Sequence, residues 1–256
     1  MALIERAPRQ APFVGFAFDD LTMGEAVEWV ERRARGESFG YVITPNVDHA
    51  VMLGEAGPED WRSAYREAVA ASDLTINDSR ILARLALLSG RRLGVTPGSD
   101  LVRELVARGA GSSGTLALVG GQADEAEWLR RTLPGWRIAH LDPPMGVRDD
   151  ANAQAAIAHF VEEQQADIVL FAIGAPQSEI VAHRISRRGQ ARGVGLCIGA
   201  SVEFLSGAKR RAPRWMQRAG LEWLFRLLSE PRRLWRRYLV KGPRVFKLWW
   251  AERSRR

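Results

Sequence analysis

Short apolar runs that end in small or polar residues alternate with helical patterns through the first 200 residues of this chain. The most continuous run, from Asp167 to Ile173, is typical of a parallel strand that is buried on both faces. Five further runs predict strands at residues 41–43, 74–76, 116–119, 136–139 and 194–198. This alternation predicts an α/β fold with a doubly wound, mostly parallel sheet that is flanked by helices.

The loops that follow the predicted strands are where ligands are expected, because parallel sheets bind ligands at the carboxyl ends of their strands. These loops start with Thr44-Pro45-Asn46, Asn77-Asp78-Ser79, Gly120-Gly121, Gly174-Ala175-Pro176 and Gly199-Ala200. Gly120-Gly121 could hold a phosphate at the amino end of the next helix, where unpaired N–H groups and the helix dipole favour anions. The full G-x-G-x-x-G pattern is absent, however, so a tight turn without a ligand is an equally good interpretation.

Asp78 follows a predicted strand and precedes a small residue, Ser79. A carboxylate in this position could act as a general base, provided that burial adjusts its pKa. The other interpretation is a helix N-cap, which suits both Asp and Ser, and position alone favours the cap. The same two interpretations apply to Thr44 and Asn46 on either side of Pro45.

Nothing in the sequence predicts a metal or another cofactor. The four histidines, at positions 49, 140, 159 and 183, show no ligand spacing, and the only cysteine is Cys197. Cys197 lies in the apolar stretch Leu196-Cys197-Ile198, which predicts a packed core thiol rather than a nucleophile. A single cysteine cannot form an internal disulfide, which favours a reducing compartment.

The amino terminus, residues 1–13, has neither a long apolar run nor a small-residue cleavage site, so we expect no signal peptide. The longest apolar stretch, Ile168 to Ala175, is far shorter than the ~20 residues that a membrane-spanning helix requires. We therefore expect a cytoplasmic protein in which no segment crosses a bilayer.

The last fifty residues differ from the rest in charge and in aromatic content. Residues 208–256 carry 16 Lys and Arg against 3 Asp and Glu, whereas residues 1–207 carry 21 against 27. Five of the nine tryptophans also lie in this segment: Trp215, Trp223, Trp235, Trp249 and Trp250. These contrasts predict a catalytic α/β domain over residues 1–207 and a basic appendage over residues 208–256 that meets an anionic partner.

Three partners can be considered for the basic appendage. Nucleic acid is one, but no nucleic-acid fold signature accompanies the arginines, so we predict none. A solvated tail is the second, although five tryptophans are poorly suited to water. An anionic membrane surface is favoured, because each basic residue near the surface contributes about 1 kcal/mol and Trp and Tyr prefer the interface.

The appendage is expected to be helical. Leu221, Leu224, Phe225 and Leu228 are spaced to form one apolar helical face. Pro231 interrupts this pattern, so a break is predicted at Glu230-Pro231, before a basic and aromatic helix.

These features together resemble the WecG/TagA/CpsF glycosyltransferases, glycosyltransferase family twenty-six, over roughly residues 15–250. The matching motifs in the body are Thr44-Pro45-Asn46, Ala71-Ser72-Asp73-Leu74 through Asp78, Gly98-Ser99-Asp100-Leu101, and Gly174-Ala175-Pro176 with Glu179. Those in the tail are Arg211-Ala212-Pro213, Gly220-Leu221-Glu222-Trp223, Arg226-Leu227, Glu230-Pro231, Arg233 and Arg236-Arg237-Tyr238.

The resemblance implies a Rossmann-like sheet with a carboxy-terminal appendage, peripheral on the inner face of the cell membrane. It implies an inverting, metal-independent enzyme that moves a sugar from a UDP-sugar to a polyprenyl-diphosphate-linked sugar in surface or exopolysaccharide biosynthesis. Asp78 would be the catalytic base, and Thr44 and Asn46 would line its pocket. The expected substrate and nucleotide contacts are Gly120, Gly174, Pro176, Gln177, Glu179, Arg226, Arg233 and Arg236, with the arginines on the diphosphate.

The chain departs from the family pattern at two places. The family's P-D-G is Asn77-Asp78-Ser79 here, and its K-Q is replaced by Gln177-Ser178. These changes motivate an alternative from another class, a membrane- or nucleic-acid-binding module whose catalytic pocket has decayed. The transferred sugar and the oligomeric state, a homo-oligomer included, stay open at this point.

Overall fold

The computed structural model describes residues 12–55 and 60–254. The prediction of no signal peptide concerns residues 1–13, of which all but the last two lie outside the described residues. Within the described part of the chain, no helix is both long enough and apolar enough to cross a bilayer.

Six parallel strands form one sheet in the order β2-β1-β6-β5-β3-β4. The strands are β1 (Gly40–Ile43), β2 (Leu74–Thr75), β3 (Gly114–Val119), β4 (Trp136–Leu141), β5 (Ile168–Phe171) and β6 (Val194–Cys197). Each lies where an apolar run predicted it, so the predicted α/β fold is confirmed, and every pairing among these strands is parallel.

Helices connect the strands and continue through the appendage. Those of the body are α1 (Met23–Ala34), α2 (Val47–Gly54), α3 (Asp60–Ala71), α4 (Arg80–Leu88), α5 (Gly98–Gly109), α6 (Ala123–Thr132), α7 (Ala151–Gln164), α8 (Gln177–Arg188) and α9 (Ser201–Leu205). Those of the appendage are α10 (Arg214–Arg218), α11 (Glu222–Ser229), α12 (Pro231–Trp235) and α13 (Arg244–Arg253), with a π-helical segment at Arg236–Lys241 between α12 and α13.

The sheet is buried on both faces because alternate side chains of its strands enter two separate hydrophobic cores. In β1, Tyr41 and Ile43 enter one core and Val42 enters the other. The first core is covered by α2, α3, α4, α7, α8 and α13, and the second by α1, α5, α6 and α9. In the central strand β6, a Cβ on Gly195 would lie 2.7 Å from the rings of Phe171 and Phe39, so the first core requires glycine there.

The strand order creates a crevice between β5 and β3. From β3 the chain passes through α6 to β4, on one side of the crevice. From β5 it passes through α8 to β6, on the opposite side of the crevice. Helices α6 and α8 consequently pack on opposite faces of the sheet. In doubly wound sheets, the loops diverge at such a switch point and leave room for a ligand beyond the strand ends. Gly120 and Gly174 begin the two loops that border this crevice.

The appendage packs against the body. Leu227, Leu234 and Val245 are buried, and α13 lies across α2 and α4. The indole Nε1 of Trp249 donates to the carbonyl of Leu85 at 3.0 Å and also lies 2.7 Å from the hydroxyl of Ser89. Helix α11 ends at Ser229 and α12 begins at Pro231, so the predicted break is confirmed.

Candidate functional site

The loop after β2 is held in one conformation by Asn77. Its amide nitrogen donates to the carbonyls of Ser79 and Gly94 at 3.1 and 2.8 Å, and its amide oxygen accepts from the N–H of Ser79 at 2.9 Å. Ser79 caps α4, because its hydroxyl accepts from the N–H of Leu82 at 3.2 Å. The prediction that position favours Asp78 as the cap is therefore wrong, and the neighbouring serine takes that role.

The Asp78 carboxylate instead points toward the start of α5, where it accepts from the N–H of Gly98 at 3.1 Å. Asp78 is half-buried, and this burial raises its pKa to about 6. The Gly98 hydrogen bond lowers this pKa, Glu222 raises it, and His49 and a hydrogen bond from the Asn46 side chain lower it. A carboxylate that ionises just below neutral pH and remains reachable from outside is suited to general base catalysis.

Thr44 and Asn46 both lie next to Asp78 after β1, but their side chains differ in what they contact. The buried Thr44 hydroxyl donates to the carbonyl of Cys197 at 2.9 Å and faces Gly98. Asn46 caps α2, since its amide oxygen accepts from the N–H of Asp48 at 3.0 Å. Cys197 is buried, as predicted, and burial raises the pKa of its thiol.

The crevice between β5 and β3 is lined by glycine and proline. Gly120 has φ +80°, and a Cβ there would lie 2.6 Å from Cγ2 of Ile173, so the two loops can approach this closely only with glycine at 120. Across the crevice, Gly174 has φ +76° and the Ala175-Pro176 peptide is cis. Gln177 begins α8 and donates from its side-chain nitrogen to the carbonyl of Ile173 at 2.5 Å.

Behind the Gly120 loop lies a buried acid, Glu125, which the sequence did not single out. Burial raises its pKa, and its carboxylate accepts from the N–H of Gln122 at 3.3 Å. His140 Nε2 lies 3.2 Å from the carbonyl oxygen of Gly120. Lys209 and Glu203 interact electrostatically with Glu125, so this side of the crevice lies near the start of the appendage.

Glu179 lies beneath the site rather than on its surface. Its side chain is 2% exposed, and its Oε1 lies 3.4 Å from Nε2 of His49. The expectation that Glu179 contacts the substrate stays a prediction. In this structure its carboxylate lies next to His49, one of the four histidines that show no metal-ligand spacing in the sequence.

Three of the appendage arginines were predicted as substrate contacts, and they lie in different surroundings. Arg226 stacks on Phe204 at 5.4 Å, and Arg233 pairs with Glu230 at 2.5 Å. Lys209 lies 3.6 Å from the same Glu230 carboxylate. Arg236 stacks on the ring of Trp235 and is exposed to solvent.

Two other arginines connect the appendage to the residues around Asp78. Arg211 pairs with Asp100 at 2.6 Å and lies 3.6 Å from Glu222. Although burial opposes it, this pairing lowers the pKa of Asp100. Arg237 pairs with Asp48 at 3.2 Å, next to His49 on α2. Asp100 and Arg211 belong to the G-S-D-L and R-A-P motifs, so these motifs could have indicated that both residues belong to the site.

Two groups of predicted residues thus lie along one edge of the sheet. Asp78, Thr44 and Asn46 lie at the ends of β2 and β1, and Gly120, Gly174, Pro176 and Gln177 lie at the ends of β3 and β5. Three strand intervals separate β5 from β2, which amounts to roughly 14 Å. Within residues 12–55 and 60–254, no three His, Cys, Asp or Glu side chains come together as a metal-binding group.

Fold and site together define an α/β enzyme with a candidate general base and a glycine-lined crevice along the same edge of its sheet. The chain belongs to the WecG/TagA/CpsF family of glycosyl transferases, whose sequence model matches residues 11–256. The protein is therefore a glycosyltransferase, and its family transfers sugars to lipid-linked acceptors in envelope polysaccharide synthesis.

Proposed function

We propose that this protein is an inverting glycosyltransferase that moves a sugar from a UDP-sugar to a polyprenyl-diphosphate-linked sugar during exopolysaccharide assembly. The observation that carries this proposal is the half-buried Asp78 carboxylate, with its pKa of about 6, on the same edge of the sheet as the crevice between β5 and β3. The hydrogen bond that the Asp78 carboxylate accepts from Gly98, and those that Asn77 makes with Ser79 in the same loop, also argue against a decayed pocket.

In this mechanism, Asp78 takes the proton of the acceptor hydroxyl as the hydroxyl oxygen attacks the anomeric carbon. The bond between that carbon and the diphosphate oxygen breaks, UDP departs with the electron pair, and one displacement inverts the configuration. A base with a pKa near 6 is ionised at neutral pH and can still accept a proton in the transition state.

The crevice at Gly120 and Gly174 is the proposed site of the donor nucleotide. It lies at the switch point of the sheet, and the amino end of α6 follows the Gly120 loop. Lys209, Arg226 and Arg233 surround Glu230 on the same side of the molecule, and we expect them to meet the diphosphate charge without a metal. Arg236 would serve the lipid-linked substrate from the exposed side of the appendage.

The appendage is proposed to hold the protein on the inner face of the cell membrane. Several large apolar side chains remain exposed there among arginines and lysines: Trp215, Leu228, Trp235, Leu239, Val240, Phe246 and Trp250. Exposed aromatic and basic residues on one segment favour the interface of an anionic bilayer. A lipid-linked acceptor would then be reached without leaving the membrane.

The test is an assay of the full chain with a panel of UDP-sugars and a lipid-diphosphate-sugar acceptor in anionic vesicles. Transfer from one donor, with an inverted linkage shown by NMR, is the expected result. Absence of transfer from every donor, with vesicle binding retained, would overturn the proposal in favour of a binding module.

A further inference from the structure

A buried glutamate lies behind the proposed base and has no role in the mechanism so far. Glu179 is 1% exposed, its Oε1 faces His49, and its Oε2 has no hydrogen-bond partner among the described residues. Burying an unpaired carboxylate destabilises a fold by several kcal/mol unless a nearby cation compensates. The only ionisable group that pairs with it in the described part of the chain is His49.

The contacts of His49 fix the orientation of the neighbouring Asn46 side chain. The N–H of Asp48 can only meet an acceptor, so the atom of Asn46 that it contacts at 3.0 Å is the amide oxygen. That oxygen also lies 3.0 Å from Nδ1 of His49, and the backbone N–H of Asn46 donates to the same nitrogen at 3.4 Å. Nε2, on the other side of the ring, faces the Glu179 carboxylate at 3.4 Å, so His49 joins Asn46 to the buried glutamate.

The orientation of Asn46 follows from these contacts. With its oxygen held by the N–H of Asp48, the Asn46 side chain presents its NH₂ group to the carboxylate of Asp78, and this interaction lowers the pKa of that carboxylate. A rotated amide would place its oxygen against that carboxylate instead, and two acceptors would repel each other.

We propose that His49 and Glu179 are positioning residues for sugar transfer: the buried pair fixes the amide of Asn46 so that this amide holds the Asp78 carboxylate toward the acceptor hydroxyl. This inference rests on the proposed function of Asp78 as the base. Neither His49 nor Glu179 touches substrate in this arrangement. Glu179 acts through Asn46, whereas His49 acts both through Asn46 and by its direct electrostatic effect on Asp78.

Other charged groups face the same residues and must be separated from the effect of the pair. Asp78 is influenced by Glu222 of α11 and lies near Arg211, and it accepts from Gly98 at the start of α5. On its own helix, His49 neighbours Asp48, which is paired with Arg237. Tyr65 of α3 and Cys197 lie near Glu179. The pKa of each is raised, first by burial and second by the charge of the Glu179 carboxylate.

The experiment measures kcat/KM against pH for the full chain on vesicles, with the variants Glu179→Gln and His49→Gln. Removing His49 or freeing the Asn46 amide raises the pKa of Asp78, since the His49 ring and the Asn46 amide both lower it in the intact site. The midpoint of the acid limb should therefore rise from about 6 by roughly half a pH unit or more. We expect kcat near pH 6.5 to fall about tenfold, with the donor KM unchanged.

Matched variants separate positioning from a general structural role. Glu162→Gln alters another buried glutamate, which pairs with Arg188 away from the site, and His159→Gln alters an exposed histidine. Neither should move the acid limb. Glu222→Gln should move it in the opposite direction, to lower pH, because Glu222 raises the pKa of Asp78.

Asn46→Ser provides the second test, because serine keeps a helix cap but removes the amide. It should shift the acid limb upward, and adding Glu179→Gln should produce no further shift, since Glu179 acts on Asp78 through Asn46. An unmoved limb in Asn46→Ser and His49→Gln, or fully additive shifts, would overturn the inference. If Asp78→Asn were also active, the proposed function itself would fail, so the two failures are distinguishable.

Discussion

Asp78 combines a functional advantage with a cost in stability. Its carboxyl has a pKa of about 6 in the fold against an ordinary value of 3.8, so the folded protein binds this proton more tightly than the unfolded chain does. The charged form is therefore unfavourable in the fold. This penalty is fully present above about pH 6, declines as the pH falls, and is absent below about pH 4.

Replacing Asp78 with asparagine should consequently stabilise the protein at neutral pH. Asparagine retains an oxygen that can accept from Gly98 and carries no charge to desolvate. We expect the free energy of unfolding to increase by about 1–3 kcal/mol at pH 7.5 and to be unchanged at pH 4. Thermal unfolding of both proteins at the two pH values measures this, and a Tm gain of equal size at pH 4 would contradict the burial of a charge.

The sequence indicated the Asp78 carboxylate as a candidate base but did not indicate which residues surround it. Asp78 and Ser79 are adjacent and both suit a helix cap, so the sequence alone could not separate them. What separates them is Gly98, which lies twenty residues further along the chain and offers its N–H to Asp78 only once α5 has packed. The pairing of His49 with Glu179 joins residues even further apart in sequence, and no local pattern indicates it.

Among the elements, the strands were the most predictable. Strand β5 is buried on both faces and reads as a continuous apolar run, and the polar loops at the strand ends marked where each strand stops. The order of the strands in the sheet could not be predicted from the sequence, because it depends on long-range pairing such as that of β1 with β6. The crevice between β5 and β3 is a consequence of that order and could not be predicted from the loops alone.

The close approach of the two crevice loops can be tested at Gly120. Gly120→Ala forces alanine into a left-handed backbone and places its Cβ 2.6 Å from Ile173, so the loops must separate. We expect the donor KM to rise several-fold and the stability to fall by about 2–4 kcal/mol. The measurements are donor titrations and chemical unfolding.

Gly146→Ala is the matched control for this substitution. Gly146 has φ +90°, and a Cβ there would meet no atom within 4 Å, so alanine adds backbone strain without a clash. It should cost only about 1–2 kcal/mol and leave the donor KM unchanged. Equal effects of both variants on KM would show that the crevice is not the donor site.

In the whole molecule, the carboxy-terminal appendage differs from the body in charge, although the two pack against each other. Residues 208–256 hold all of its basic excess, yet α13 packs across α2 and α4, and the N–H of Val14 donates to Glu252 at 2.6 Å. The appendage thus completes the first core as well as presenting charge. Removing it whole would disturb the body, so surface charges are the better probe of membrane binding.

Arg232→Gln with Lys241→Gln removes two exposed charges from the appendage. At about 1 kcal/mol per charge, binding to anionic vesicles at low salt should weaken roughly tenfold to thirtyfold. Arg130→Gln with Arg131→Gln removes the same charge from the exposed surface of α6 and should have little effect. Vesicle flotation compares the pairs, and an equal loss in both would mean that net charge alone, rather than the appendage, determines binding.

In the proposed mechanism, Asp78 removes the proton of the acceptor hydroxyl during sugar transfer. The most direct measurement is kcat/KM against pH for the wild-type protein and Asp78→Asn, with whichever UDP-sugar supports transfer. We expect an acid limb with a midpoint of about 6 for the wild type and a rate at least about a hundredfold lower, without that limb, for the variant. An Asp78→Asn enzyme of near wild-type activity and unchanged acid limb would contradict it.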